Sequence, residues 1–228
     1  MPLDFSRFDY FTFDCYGTLI NWEQGLLGAL QPILQSHAVV LSDDAVLAIY
    51  GEIEPKLQHP YQRYRDVLEQ VVHEFGRKTG FEATRAEMKS LPESLGNWQP
   101  YRDTIEALTR LKTSYKLVIL SNIDDDLFAV SAKLLQVKFD AVITAEQVKS
   151  YKPDPAHWVE MLHRCNTTPD RVLHVGQSIY HDVIPAKAMG FQTVWVHRAP
   201  GFGATRAAQE QPDLEVRSLA ELADAATA

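Results

Sequence analysis

The chain has 228 residues, 46% of them hydrophobic and 23% charged, with a formal net charge of −8 at pH 7. That is enough apolar material for one large core or a domain with an insert, and it argues against wholesale disorder. The negative charge argues against a nucleic-acid or anionic-membrane surface, no run nears the roughly 18 apolar residues of a membrane span, and the two cysteines, Cys15 and Cys165, do not suggest a secreted disulfide framework.

The opening segment, MPLDFSRFDYF, has no basic start followed by an apolar stretch, so a cytoplasmic protein is expected. Residues 8 to 14, FDYFTFD, are aromatic and β-prone and read as a strand. Residues 23 to 36 carry apolar residues at helical spacing. Ser42 is a candidate N-cap with acids in the following turn, and a further amphipathic helix is stopped by Gly80. Thr84 caps a short helix ending near Pro92. Residues 20 to 97 are therefore expected to be helical throughout.

After Pro100 the pattern changes. A helix is expected over 101–112, and KLVILSN is a near-continuous apolar run of buried-strand length. Helix DDDLFAVSAKLL, strand FDAVIT, helix DPAHWVEMLHRC, strand RVLHVG, helix HDVIPAKAMG, strand QTVWVH and a last short strand and helix come next. Pro200, Gly201 and Gly203 mark a loop. Alternating strands and helices predict an α/β fold with a doubly wound, Rossmann-like parallel sheet. The expected division is a core of 1–19 and 98–228 with a helical cap, 20–97, inserted after the first strand.

Ligands of such sheets bind beyond the carboxyl ends of the strands. Four strand ends here carry polar residues: Asp14 after FTF, Ser121-Asn122 after LVIL, the segment around Lys152, and GQSIYHD with Asp182. Gly17 lets the backbone turn closely around Asp14. Taken singly, each has an ordinary explanation as a helix cap, a turn former or a solvated loop lysine. The Asp124-Asp125-Asp126 run fits a helix N-terminus. Trp22 and Trp158 are by default packing residues, and His157, His174 and His181 lack zinc spacing with any cysteine pair. The ordered coincidence of all four strand ends favours a site.

FDCYGTLI, LSN, YKPDP and HVGQSIYHDVIPAKAMG together resemble the four ordered motifs of the haloacid dehalogenase superfamily, over nearly the whole chain. The resemblance implies Asp14 as nucleophile, Ser121 with Asn122 as binders of the substrate's anionic group, and Lys152 as the cation beside the nucleophile. Asp182 would position or activate water or hold Lys152. Phosphatases of this superfamily usually carry an acid two residues after the nucleophile, where Tyr16 stands here. An alkoxide leaving group needs a proton that a halide does not, and a phenol with a pKa near 10 is a poor donor. Gln177 replaces an expected magnesium carboxylate. Both changes resemble the metal-independent L-2-haloacid dehalogenase branch, in which an aspartate displaces halide from C2 and water hydrolyses the aspartyl ester. The helix N-terminus after Ser121 would add positive potential.

That branch has an arginine on its first cap helix, but this chain has none between Arg7 and Arg63. Arg63 or Arg65 is the candidate substitute. Trp158 stands where the branch has a tyrosine, and Gln177 and Ile179 replace a serine and an asparagine. The expected substrate contacts are Tyr16, Thr18, Trp22, Arg63, Ser121, Asn122 and Trp158, around catalytic Asp14, Lys152 and Asp182. The expected ligand is a small carboxylate, with no metal, no nucleic acid, no membrane, and a homodimer left open. Two alternatives stand beside it: a phosphatase with Mg2+ at Asp14 and Asp182, and a non-catalytic binding protein on the same scaffold.

Overall fold

A computed structural model of the chain describes residues 3–198 and 210–227; the loop expected at Pro200, Gly201 and Gly203 lies outside the described residues. Strand β1 is Tyr10–Phe13, followed by helices α1 (Trp22–Ser36), α2 (Asp43–Leu57), α3 (Tyr64–Thr79) and α4 (Arg85–Glu93). Then come α5 (Thr104–Leu111), β2 (Lys116–Ser121), α6 (Asp125–Leu135), β3 (Ala141–Thr144), the single turn α7 (Ala145–Val148) and α8 (Ala156–Cys165). The chain continues with β4 (Val172–Gly176), α9 (Ile184–Ala188), β5 (Gln192–Val196), β6 (Leu214–Val216) and α10 (Leu219–Ala226). The helix expected over 101–112 forms its regular turns only over 104–111.

The six strands form one parallel sheet in the order β3-β2-β1-β4-β5-β6. β1 is short and aromatic because it is central and buried between β2 and β4. Its alternation sends Phe11 and Phe13 into one core with α5, α6 and α10, and Tyr10 into a second with α8 and α9. Each large apolar side chain so buried contributes about 1.5–3 kcal/mol. Helices on both faces leave the carboxyl edge of the sheet as the open place for a ligand.

The helices between β1 and β2 begin where their caps dictate. Ser42 accepts from Ala45 N–H (3.3 Å), and Thr84 forms a reciprocal box with Glu87. Gly80, at φ 90°, ends α3 in a left-handed turn. The segment before α9 departs from the expected regular helix. Residues Ile179–Val183 make a wide π-helical turn, and this turn carries Asp182. Among the described residues no helix is long and apolar enough to cross a membrane, and both cysteines are free.

Candidate active site

Asp14 is the first residue beyond β1. Its N–H donates to Val175 O on β4 (3.0 Å), so the sheet itself fixes its backbone. The chain then turns at Gly17, with φ 105°, a conformation that side chains rarely adopt; a Cβ there would also come 3.1 Å from Gln177 Oε1. The turn returns Thr18 to Asp14, and Thr18 Oγ1 donates to Asp14 Oδ2 at 2.8 Å. The same hydroxyl oxygen accepts from Gln177 N–H at 2.9 Å.

Lys152 Nζ lies 2.9 Å from Asp14 Oδ1, 2.7 Å from Asp182 Oδ1 and 2.9 Å from Leu120 O. An ammonium has three protons, and all three are used. Lys152 is 2% exposed and Asp182 1%, so this is a desolvated charge cluster. Burial alone would discharge Lys152, but Asp14 and Asp182 overcome it and hold its pKa above the ordinary lysine value. Burial pushes the Asp14 carboxyl up, against the pull of Lys152 and Thr18. Burial also acts to raise Asp182, but Lys152 and His174 more than offset it and hold the carboxyl well below its usual range. Asp14 is thus the more basic carboxylate of the two, and Asp182 stays ionised below the usual carboxylate range and anchors the lysine.

These groups form the floor of a cavity of about 640 Å³. Tyr16, Trp22, Ser121 and Asn122 also line it. Ser121 Oγ is the informative member: it is buried and makes no hydrogen bond among the described residues, in a position to meet a ligand group. Tyr16 anchors its hydroxyl on Ser131 Oγ at 2.8 Å, and burial raises its pKa well above 10, so no proton donor stands at that position.

Several expected contacts are corrected by this geometry. Arg63 does not reach the cavity. It precedes α3 and pairs with Asp126 (2.8 Å) and Glu146 (3.4 Å), while Asp124 accepts the N–H groups of Tyr64 and Arg65. Arg65 likewise pairs with Asp126 at 2.9 Å. The acidic run before α6 therefore caps and neutralises the start of α3. The N-terminus of α6, expected to lend the site positive potential, donates Asp125 N–H to Glu146 instead. Trp158 is fully buried under the sheet, edge-on to His174, and is a core residue. Thr18 is fully buried and holds Asp14, not substrate. The Asn122 side chain clamps the Lys152 backbone in both directions, donating to its O (3.1 Å) and accepting from its N–H (2.7 Å).

Other supporting residues had no sequence signal. His174 on β4 bonds Thr12 Oγ1 (2.8 Å) and sits 3.6 Å from Asp182. Arg198 pairs with Asp103 and donates to Thr18 O at 2.9 Å, bracing the turn that carries Thr18. Glu54, from α2, lines the cavity as well.

The magnesium alternative would use Asp14 and Asp182. Both carboxylates are held on the Lys152 ammonium, and among the described residues no cluster of three or more His, Cys, Asp or Glu side chains is placed to hold a metal. A magnesium ion there would have these two carboxylates to bind and would compete with Lys152 for them.

Comparison with known proteins places the chain. An (S)-2-haloacid dehalogenase, 4A, of Burkholderia cepacia is 25% identical over 195 residues, covering 82% of this chain and 81% of that one. The pyrophosphatase PpaX of Listeria innocua serovar 6a is 26% identical over 214 residues, 92% of each chain. The crystal structure of a defluorinating L-2-haloacid dehalogenase superposes with a TM-score of 0.85 at 19% identity over 100% of both chains, a likeness of fold. The sequence pattern of the haloacid dehalogenase-like hydrolases matches residues 11–196, and it is to this family that the chain belongs.

Proposed function

We propose that the protein is a metal-independent 2-haloacid dehalogenase. One observation carries this reading: Asp14 is held ready as a nucleophile by Lys152 and Thr18, while the group two residues on is a tyrosine tied to Ser131 and not an acid. Such a centre suits a leaving group that departs as a stable anion.

In the proposed reaction one Asp14 oxygen attacks C2 of the substrate from the side opposite the halogen. The new C–O bond forms as the carbon–halogen bond breaks, and the halide takes the electron pair. Water then adds to the carboxyl carbon of the resulting ester, and the acyl C–O bond breaks. The product is a 2-hydroxy acid of inverted configuration whose hydroxyl oxygen came from Asp14. The net reaction releases one proton and one halide. Lys152 offsets the charge on the ester oxygens, and Asp182 keeps Lys152 charged and in place. Ser121 Oγ, otherwise unpartnered, binds the substrate carboxylate.

The test is a halide-release screen over 2-haloacids, beside a panel of phosphate esters and pyrophosphate, each with EDTA and with magnesium. Halide release that survives EDTA is expected. A single turnover in oxygen-18 water should give unlabelled hydroxy acid. Magnesium-dependent phosphate release without halide release would refute the proposal.

A further inference from the structure

A plain haloalkanoate leaves much of the cavity unexplained. Its volume, about 640 Å³, lies in the range that buries drug-sized ligands, well beyond a three-carbon acid. Its lining is also acidic. Asp14, Glu54 and Asp182 set three carboxyl groups against the one ammonium of Lys152, whose protons are all committed, while Glu52 on the same lining is paired with Lys78. A carboxylate substrate of net charge −1 would enter against this field.

Glu54 is the acid whose placement needs a reason. It projects from α2 among donors and rings. Gln58 Nε2 donates to its Oε1 at 2.6 Å, and Tyr50 and Tyr64 bond each other beside it at 2.8 Å. Trp22 packs on Tyr50 with ring centroids 5.4 Å apart. A carboxylate that shares its cavity lining with the aromatic pair Trp22 and Tyr50 matches an organic ammonium group in charge and in the π-surface such a group favours.

From this we infer that Glu54, with Trp22 and Tyr50, is a recognition site for an ammonium group, so that the substrates are 2-haloacids whose side chain ends in an organic cation. The carboxylate and cation of such a zwitterion meet Ser121 and Glu54 respectively, and its net charge of zero removes the repulsion. The inference rests on the proposed dehalogenase reading for the reacting end alone.

Glu54 also supplies an internal check. Burial raises its pKa to about 7, against the pull of the Tyr64 hydroxyl and Gln58. A bound cation favours the ionised carboxylate, so cation binding releases a proton below about pH 7 and tightens as pH rises towards 8. The groups facing Glu54 are Tyr50 on its own helix, Gln58 just past the end of that helix, Tyr64 on α3, and Tyr151. The tyrosines are all raised above their ordinary range by burial, so none of these titrates in that window. Among the other ionisable groups of the cavity are Asp14, Lys152 and Asp182, which form the closed ion cluster, and His181. The Glu54→Gln variant isolates the share of Glu54 in the pH dependence.

Two measurements test the inference. The first is calorimetric binding of butyltrimethylammonium and of butyrate to wild type and to Glu54→Gln at pH 6 and pH 8. The ammonium should bind wild type about tenfold more tightly at pH 8, and Glu54→Gln should lose about tenfold in affinity together with most of that pH dependence. The second compares halide release from 2-chloro-4-(trimethylammonio)butanoate and 2-chlorobutanoate. Wild type should prefer the cationic substrate in kcat/KM by about tenfold, and Glu54→Gln should level the preference. Equal ammonium affinity in wild type and variant overturns the inference. Turnover of both haloacids with no cationic preference sinks the Glu54 site and leaves the dehalogenase reading standing. Glu54-dependent ammonium binding without any halide release supports the site and sinks the dehalogenase reading.

Discussion

Replacing Lys152 with Met removes a charge and keeps most of the volume. In the wild-type site one Nζ serves Asp14 Oδ1 at 2.9 Å, Asp182 Oδ1 at 2.7 Å and Leu120 O at 2.9 Å. The variant leaves two buried carboxylates converging on an apolar methyl group. Removing one partner of a buried ion pair costs about 3–5 kcal/mol, because the other charge is left uncompensated. The site has one escape: the two acids share a proton.

That escape fixes the pH dependence. In the wild type, Asp182 is held below its unfolded pKa by Lys152 and His174 against the effect of burial, so its contribution to stability is present above the ordinary carboxylate range and lost as pH falls through the folded value. In Lys152→Met the pair retains a proton, so the folded pKa lies above the unfolded one. The sign reverses: stability is full below the ordinary carboxylate pKa and is lost as pH rises through the raised value. The stability difference between the two proteins should therefore widen with pH, by up to about 1.4 kcal/mol per unit for one proton, until the variant's acid ionises. Urea unfolding followed by tryptophan fluorescence at pH 5, 6.5 and 8 measures it. We expect a difference of about 3–5 kcal/mol at pH 8 and a clearly smaller one at pH 5. A difference below about 1 kcal/mol at pH 8, or one flat across the range, would refute the electrostatic account of the site.

Asp14→Asn should bring halide release to background with the unfolding transition retained; turnover surviving the substitution would remove Asp14 as nucleophile. Gly176→Ala would set a Cβ 2.5 Å from Asp182 Oδ2, so it should cost about 1–3 kcal/mol and lower kcat by displacing Asp182 from Lys152; a melting temperature equal to wild type would contradict this. His157 is buried with its pKa held down to about 3, burial being the main cause. Its folded pKa lies below the unfolded value of about 6.5, so the unfolded chain binds the extra proton and stability falls on acidification from pH 6.5 towards 3. Between pH 7 and pH 5 this amounts to roughly 2 kcal/mol, and His157→Gln should flatten that part of the curve; parallel curves would reject the assignment.

The strand–helix alternation and the four polar strand ends were legible because they are local. A buried parallel strand must be apolar along its length, and the chain must turn once it leaves the sheet, so runs such as KLVILSN announce both the strand and the site edge. The supporting contacts were not legible because they pair distant residues. Arg198 reaches Thr18 O across 180 positions, and His174 meets Thr12 across 162. No spacing rule describes such pairs. Trp158 reads the same as a pocket wall or as core, and only the packing against His174 decides between them.

Arg63 shows the same limit from the other side. A sequence shows a cation near the right place but not its partner. The alternatives were the substrate carboxylate or the protein's own acids, and local charge decides. Asp124, Asp126 and Glu146 converge on the start of α3, where two backbone N–H groups also need acceptors. Withdrawing the arginine to a substrate would leave Asp124 buried without that cation, a cost of the kind that makes broken buried pairs unfavourable. Neither Arg63 nor Arg65 therefore takes the place of the arginine expected beside the substrate carboxylate. On the proposed reading, a pocket that keeps Asp14, Lys152 and an unpartnered Ser121, but has Glu54 on α2, changes what the far end of a substrate must carry and leaves the displacement chemistry at Asp14 as it was.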